Sequence, residues 1–361
     1  MTDQPFDEVQ ERWISCHLYY HEDPDRVVRG VVHPVVISLV KADQIEAFFF
    51  VRYALGGPHV RLRLRARPGF RDHVLAEVQR LARDFFDLTP STKSLAEEVI
   101  QRSNEYILAG DPHEIDTSIY PDNSLQVVPF RPEVERYGGP GLFRSSLDVF
   151  TLSSVAAIEL LAKHGDASRS VLLAQAFLLL LQQALGFAAD EAELLDLLRY
   201  GVDSWSEGAS KVVEKADRVA VSQRELFLRL FRESLARVRS VQAENEPPAS
   251  AAELLAAGSG RLSEAKGTGD RVARARTGGS HLHMTASRLG LSNAEELYLS
   301  RLLTVTLQEV LSRGEEDLSW IGERGPRGFS EEPAEALRAL LPPALSAFVE
   351  LPPKRGEAPS A

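Results

Sequence analysis

Apolar and polar positions change period partway along the chain. In the first third the runs are short, β-branched or aromatic, and punctuated by Gly, Pro and Asp. They are WISCHLYY (13–20), HPVVISLV (33–40), AFFFVRYAL (47–55) and HVRLRLRA (59–66), which predicts four strands. The connection GGPH between the last two predicts a hairpin. A helix is expected over 71–87, where Val74, Leu75, Val78, Leu81 and Phe85 recur near a 3.6-residue period. Residues 110–145 are rich in Pro, Gly and Asp, with one apolar piece, LQVVPF (125–130).

From about residue 146 the pattern is helical. SSLDVFTLSSVAAIELLAKHG ends on Gly165 as a helix should, and SVLLAQAFLLLLQQALGF (170–187) follows. DEAELLDLLRYGVDSW (190–205) and a long amphipathic stretch (209–242) come next. SNAE (292–295) is a capping-box pattern opening a helix whose inner face carries Leu297, Leu302, Leu303 and Val310. Polar, low-complexity composition over 244–279 predicts a mobile loop, and 351–361 a disordered tail. The expected fold is α+β: a mostly antiparallel N-terminal sheet in a part spanning 1–145, packed with a helical part spanning 146–350.

Composition narrows the function classes. A net charge of −11 and a pI near 5.4 argue against direct binding of nucleic acid or an anionic membrane. The single cysteine, Cys16, excludes an intramolecular disulfide and a cysteine-cluster metal site, and suits a reducing cytosol. Gln175, Gln182 and Gln183 interrupt the most apolar run, so a buried core helix is expected there, short of the ~20 apolar residues of a bilayer span. The acidic N-terminus has no signal-peptide pattern. A cytoplasmic protein is expected.

Against the overall negative charge, Arg61, Arg63 and Arg65 alternate with Val60, Leu62 and Leu64 just after His59. On a strand the arginines share one face, ~6.7 Å apart. Such a row is either a charged edge strand guarded against aggregation or a device for holding anions, whose carboxylates match guanidinium forks. In PEVERYGGPG (132–141), Glu133 and Arg136 are spaced to pair on a helical turn, and the double glycine allows a sharp turn. In SHLHM (280–284), His281 and His283 share a face only if the piece is a strand, and no third metal ligand has convincing spacing. A histidine there suits acid/base chemistry near neutral pH. No Walker loop, strand-linked GxGxxG or nucleophile elbow is present.

Taken together and in order, WISCHLYY, FFFVRYALGGPHVRLRLR, PEVERYGG and HMTASRLGLS resemble the glutamate-elimination domain of lantibiotic dehydratases. The resemblance is closest to the stand-alone form of thiopeptide-type bacteriocin biosynthesis. It implies a lyase that expels glutamate from glutamylated Ser or Thr of a precursor peptide, leaving dehydroalanine or dehydrobutyrine. It implies as partners the precursor peptide, leader and glutamylated core, and a large glutamyl-tRNA-dependent glutamylation subunit. No cofactor or metal is implied, and a homodimer is left open. Carried over by motif, Arg61, Arg63, Arg136 and His283 are the catalytic candidates, and Glu133, Tyr137, His59 and Arg288 the binding or orienting ones. Two positions depart from the pattern: Phe130 replaces a tyrosine and Ser287 an asparagine, removing a hydroxyl and an amide.

The chemistry fits the residue types. The leaving group is a carboxylate with a second carboxylate attached, and removing the α-proton builds charge on the neighbouring carbonyl oxygen; both need preorganised donors. Arginine is too basic to take the proton readily, which leaves His283 as acid/base. The same scaffold is similar to thiopeptide pyridine synthases, which join two dehydroalanines in a formal [4+2] cycloaddition and release the leader. A noncatalytic leader-binding subunit is the third reading.

Overall fold

The computed structural model describes residues 12–314 and 318, apart from 94, 111–117, 166, 243–247, 249 and 266–269. The fold is α+β. Strands β1 (Trp13–Tyr19), β2 (Ile45–Tyr53), β3 (His59–Ala66) and β4 (Ser124–Val127) form an antiparallel sheet in the order β2-β3-β1-β4. The β2–β3 hairpin turns through Gly56 and Gly57, both at positive φ (77° and 117°), which side chains other than glycine rarely adopt. A Cβ on Gly57 would also sit 3.0 Å from the His21 ring.

Strand alternation gives the sheet two unlike faces. Val60, Leu62 and Leu64 of β3, with Ile14, Cys16 and Leu18 of β1 and Phe48 and Phe50 of β2, join the main core. The same core takes in α1 (Pro24–Val27), a π-helical stretch (Val28–Val32), α2 (His33–Lys41) and α3 (Arg71–Leu88). A helix α4 (Glu97–Gly110) precedes β4. Burial pushes the Cys16 thiol up to about 12, so it behaves as a small apolar side chain.

The stretch expected as a strand at 33–40 is the helix α2. Val27, Val28, Val31, Val32, Val35, Val36 and Leu39 are all buried, and their spacing is helical once the run is followed upstream of Pro34. Proline does not break the helix, because the π-helical stretch lies directly ahead of it and Pro34 sits in the first turn of α2.

The remaining helices are α5 (Pro140–His164), α6 (Arg169–Phe187), α7 (Glu191–Trp205), α8 (Ser210–Ser222), α9 (Arg224–Gln242), α10 (Ala251–Ala265), α11 (Arg271–Arg288) and α12 (Asn293–Arg313). The amphipathic stretch 209–242 is therefore two helices. α5 and α6 are long and apolar enough to cross a membrane, yet most of each is buried within the protein. α5 lies against β2, and the Ser154 hydroxyl accepts the Phe50 N–H at 3.2 Å, which satisfies part of that edge. The expected capping box is present at Ser292 and Glu295.

The expected mobile loop at 244–279 is a correction. Its described residues form α10 and the first half of α11, with Leu254, Leu255 and Leu262 in the core. The small residues that suggested flexibility serve close packing: a Cβ on Gly258 would sit 2.4 Å from Leu152, and one on Gly278 2.3 Å from Leu197. Residues 351–361 lie outside the described residues.

The α6–α10 crossing gives a test. A Cβ on Gly186 would fall 2.2 Å from the Ala256 carbonyl oxygen. Gly186→Ala should lower stability by about 1–3 kcal/mol through overpacking, despite the gain of up to ~1 kcal/mol from better helix propensity. Urea unfolding midpoints measure this; a more stable variant would show that the two helices do not touch there.

Candidate functional site

The second face of the sheet carries the polar chemistry. Register places Ser15, His17 and Tyr19 of β1 opposite Arg63, Arg61 and His59, and Phe49, Val51 and Tyr53 of β2 opposite the same three. β3 is thus an interior strand, which removes the charged-edge reading of its arginines. Arg63 is only 6% exposed and Arg61 is half-buried.

Imidazoles hold both guanidiniums. His59 donates through Nδ1 to the Gly57 carbonyl at 2.8 Å, which leaves its Nε2 to accept Arg61 Nε at 3.1 Å. His17 Nε2 accepts from Arg63 Nη2 at 3.1 Å. The two rings stack with centroids 4.8 Å apart, and Tyr19 packs on His59 at 4.5 Å and on Tyr120 at 4.9 Å. Arg61 lies over the Tyr53 ring at 3.7 Å and Arg63 over Phe130 at 5.6 Å. Burial, then the Arg61 charge, lowers the His59 pKa to about 3; burial and Arg63 likewise push His17 far below the usual imidazole value. Both rings therefore remain neutral acceptors at neutral pH.

An aromatic cluster links this face to the rest of the candidate site. Trp13, Phe49, Phe130, Tyr137 and Phe150 pack together, with Val51 and Met284 against them. Tyr137 closes a 3₁₀ turn (Glu135–Tyr137) that ends on Gly138 and Gly139 at φ 90° and 80°, so the double glycine does turn the chain sharply. Glu133 accepts from Arg136 at 2.9 Å, and that guanidinium lies 5.9 Å from the Tyr137 ring centre. Both members of the pair are partly exposed.

α11 packs against the same aromatic cluster. His281 is buried, 3.2 Å from the Ser146 hydroxyl, with its ring 5.1 Å from Tyr137 and 5.0 Å from Phe150. Arg288 is 1% exposed, donates to Ser154 at 3.1 Å and lies over Phe150 at 5.4 Å. Burial draws its pKa down to about 10, so it stays charged near neutral pH. Arg52, paired with Asp25, donates to the Arg288 carbonyl at 3.0 and 3.1 Å and ties the end of α11 to β2.

Because SHLHM is helical, His283 points about 200° round from His281. Its Nδ1 is 2.8 Å from Glu296 Oε2 on α12, and its ring lies 5.4 Å from Trp205 at the end of α7. The side chain is 23% exposed.

The structure therefore brings His59, Arg61 and Arg63 together and joins them to Tyr137 through the aromatic cluster. Arg288 lies enclosed behind Phe150, the Glu133–Arg136 pair stands beside Tyr137, and His283 occupies a separate flank of α11. Sequence reasoning missed His17, Tyr19 and Glu296. The alternation in WISCHLYY does carry a signal for the first two, since it puts His17 and Tyr19 on one face; their pairing with the arginines depends on register.

An antiparallel sheet backed by a helical half makes this an α+β protein. Residues 13–307, most of the chain, match the lantibiotic biosynthesis dehydratase C-terminal family, and the chain belongs to it. Among solved structures it is similar to the pyridine synthase TbtD from thiomuracin biosynthesis, with TM-score 0.68 and 17% identity over 84% of this chain and 99% of that one. It is similar to the tRNA-dependent lantibiotic dehydratase MibB from Microbispora sp. 107891, with TM-score 0.51 and 19% identity over 84% of this chain; the chain spans 29% of MibB. TsrL gives TM-score 0.52 and 15% identity over 88% of this chain and 99% of that one. At these identities the likeness concerns the fold. No curated protein matches the chain in sequence.

The neutral imidazoles make acid stability a test. A histidine whose folded pKa lies below its unfolded value costs the folded state nothing above about pH 6.5. Stability is then lost as pH falls from there toward about 3, where folded His59 also takes up a proton. His59→Gln can keep both hydrogen bonds without titrating. It should reduce the slope of unfolding free energy against pH in that window by up to about 1.4 kcal/mol per pH unit. An unchanged slope in urea titrations would show that His59 is not held neutral.

Proposed function

We propose that the protein eliminates glutamate from glutamylated Ser or Thr of a ribosomally made precursor peptide, giving dehydroalanine or dehydrobutyrine. It would act as the small subunit of a split dehydratase in the cytoplasm, after a large subunit has formed the ester from glutamyl-tRNA. The observation that carries the reading is the placement of Arg61 and Arg63 on an interior strand, each braced by an imidazole and an aromatic ring. That is a preorganised pair of forks for an anion, in a position where an ordinary solubilising charge has no reason to be.

In this reading Arg61 and Arg63 hold the glutamyl carboxylates and the developing enolate. Arg136, braced by Glu133, adds a further anion contact. For His283 to take the α-proton, the bound peptide must reach from the arginines to its flank of α11, where the ring lies against Glu296 and Trp205; the Cβ–O bond then breaks and glutamate leaves as a carboxylate. His59 orients Arg61, while Tyr137 and Arg288 shape the wall behind the substrate. No step calls for a cofactor.

A pyridine synthase is the second reading, favoured by one observation: 84% of this chain matches 99% of TbtD. The two are separated by incubating the protein with a peptide esterified with glutamate at one serine and following mass and free glutamate. Arg61→Lys and Arg63→Lys keep a cation and lose the fork, so elimination should slow by about 10²-fold and the ester should persist. Wild-type and variant proteins that all leave the ester intact, while wild type cyclises a peptide bearing two dehydroalanines, would replace elimination with pyridine formation.

A further inference from the structure

Glu296 belongs to none of the recognised motifs, yet its surroundings suit a specific task. It stands in the first turn of α12, where the helix dipole favours a carboxylate. That turn is rigidly held. Ser292 and Glu295 cap each other, and Arg169 of α6 grips Glu295 at 2.7 Å and 2.6 Å while also donating to the Gly290 carbonyl at 2.8 Å. Glu296 itself is buried and lines a small cavity together with Gly201, Gly279, Leu282 and Leu303. A carboxylate in such a place is costly without a partner, and the partner is His283 Nδ1 at 2.8 Å.

A carboxylate at Nδ1 keeps the proton of a neutral imidazole there and leaves the lone pair on Nε2. Nε2 of His283 makes no hydrogen bond among the described residues, and the ring is partly exposed. The Trp205 ring beside it restricts rotation. The dyad thus presents one nitrogen outward with its tautomer and orientation set from behind, an arrangement suited to taking up a proton and stabilising the imidazolium that results.

We propose that Glu296 is a positioning residue that fixes His283 as the Nδ1–H tautomer, so that Nε2 is the atom that accepts the substrate's α-proton. This rests on the elimination reading above, and the two are tested separately. Nitrogen-15 NMR of the free protein reads the tautomer without any substrate, with the His283 signals assigned by their loss in His283→Gln. Wild type should show Nδ1–H, and Glu296→Leu, which removes the acceptor at similar size, should lose that preference.

With the glutamylated peptide, Glu296→Gln and Glu296→Leu should lower kcat for glutamate release by about 10- to 100-fold, as lost orienting partners do, with KM little changed. Glu296→Asp should recover part of the rate. In a His283→Gln background, Glu296→Gln should cause no further loss. An Nε2–H tautomer in wild type, or one unchanged in Glu296→Leu, would overturn the proposal. Equal losses from Glu296→Gln with and without His283 would overturn it too, since Glu296 would then act as packing alone. A wild-type protein that releases no glutamate would sink the elimination reading instead, and the NMR result would still decide the dyad.

Discussion

Arginines on an interior strand are the constraint around which the rest of the structure is arranged. β3 lies between β2 and β1, so one of its faces must enter the main core and the other must find partners for Arg61 and Arg63 inside the protein. Burying a guanidinium without hydrogen bonds is costly. Here the register of β1 and the β2–β3 turn supply imidazole acceptors, His17 for Arg63 and His59 for Arg61. The arrangement is reciprocal: burial and the adjacent cations keep both rings neutral, and only a neutral ring can accept.

The helical half is built onto that face through aromatic rings. Phe49 and Trp13 of the sheet meet Phe130, Tyr137 and Phe150, and through them the sheet is coupled to α5 and α11. Ser154 is a junction in the same layer: its hydroxyl accepts from the Phe50 backbone and from Arg288 and donates to the Phe150 carbonyl. His281, Met284 and Arg288 all stand on α11, so that one helix carries three of the side chains that pack on this aromatic layer.

Much of this was legible in the sequence. The strands at 13–20, 47–55 and 59–66, the hairpin, the core helix at 170–187 and the capping box at Ser292 all follow from local rules, because period, turn chemistry and caps are local properties. Two failures have physical causes. The valines around Pro34 are β-branched, yet their four-residue spacing is helical and packing overrode propensity. Alanine, glycine and serine at 251–265 resemble a linker in composition but allow helices to approach closely. The partners of the site residues were the least legible, since His17, Tyr19 and Glu296 reach them through strand register and helix packing, which no short window encodes.

The central claim is that the arginine pair on β3 is a receptor for the leaving glutamate. Calorimetric titration of the protein with free L-glutamate tests it most directly, since the product needs no partner enzyme and no turnover. The account predicts binding that weakens with added salt and is lost, by about 10-fold or more, in Arg63→Gln, as for a charge-assisted bidentate contact. Wild-type protein that does not bind glutamate, or Arg63→Gln protein that binds it as well as wild type, would contradict the account.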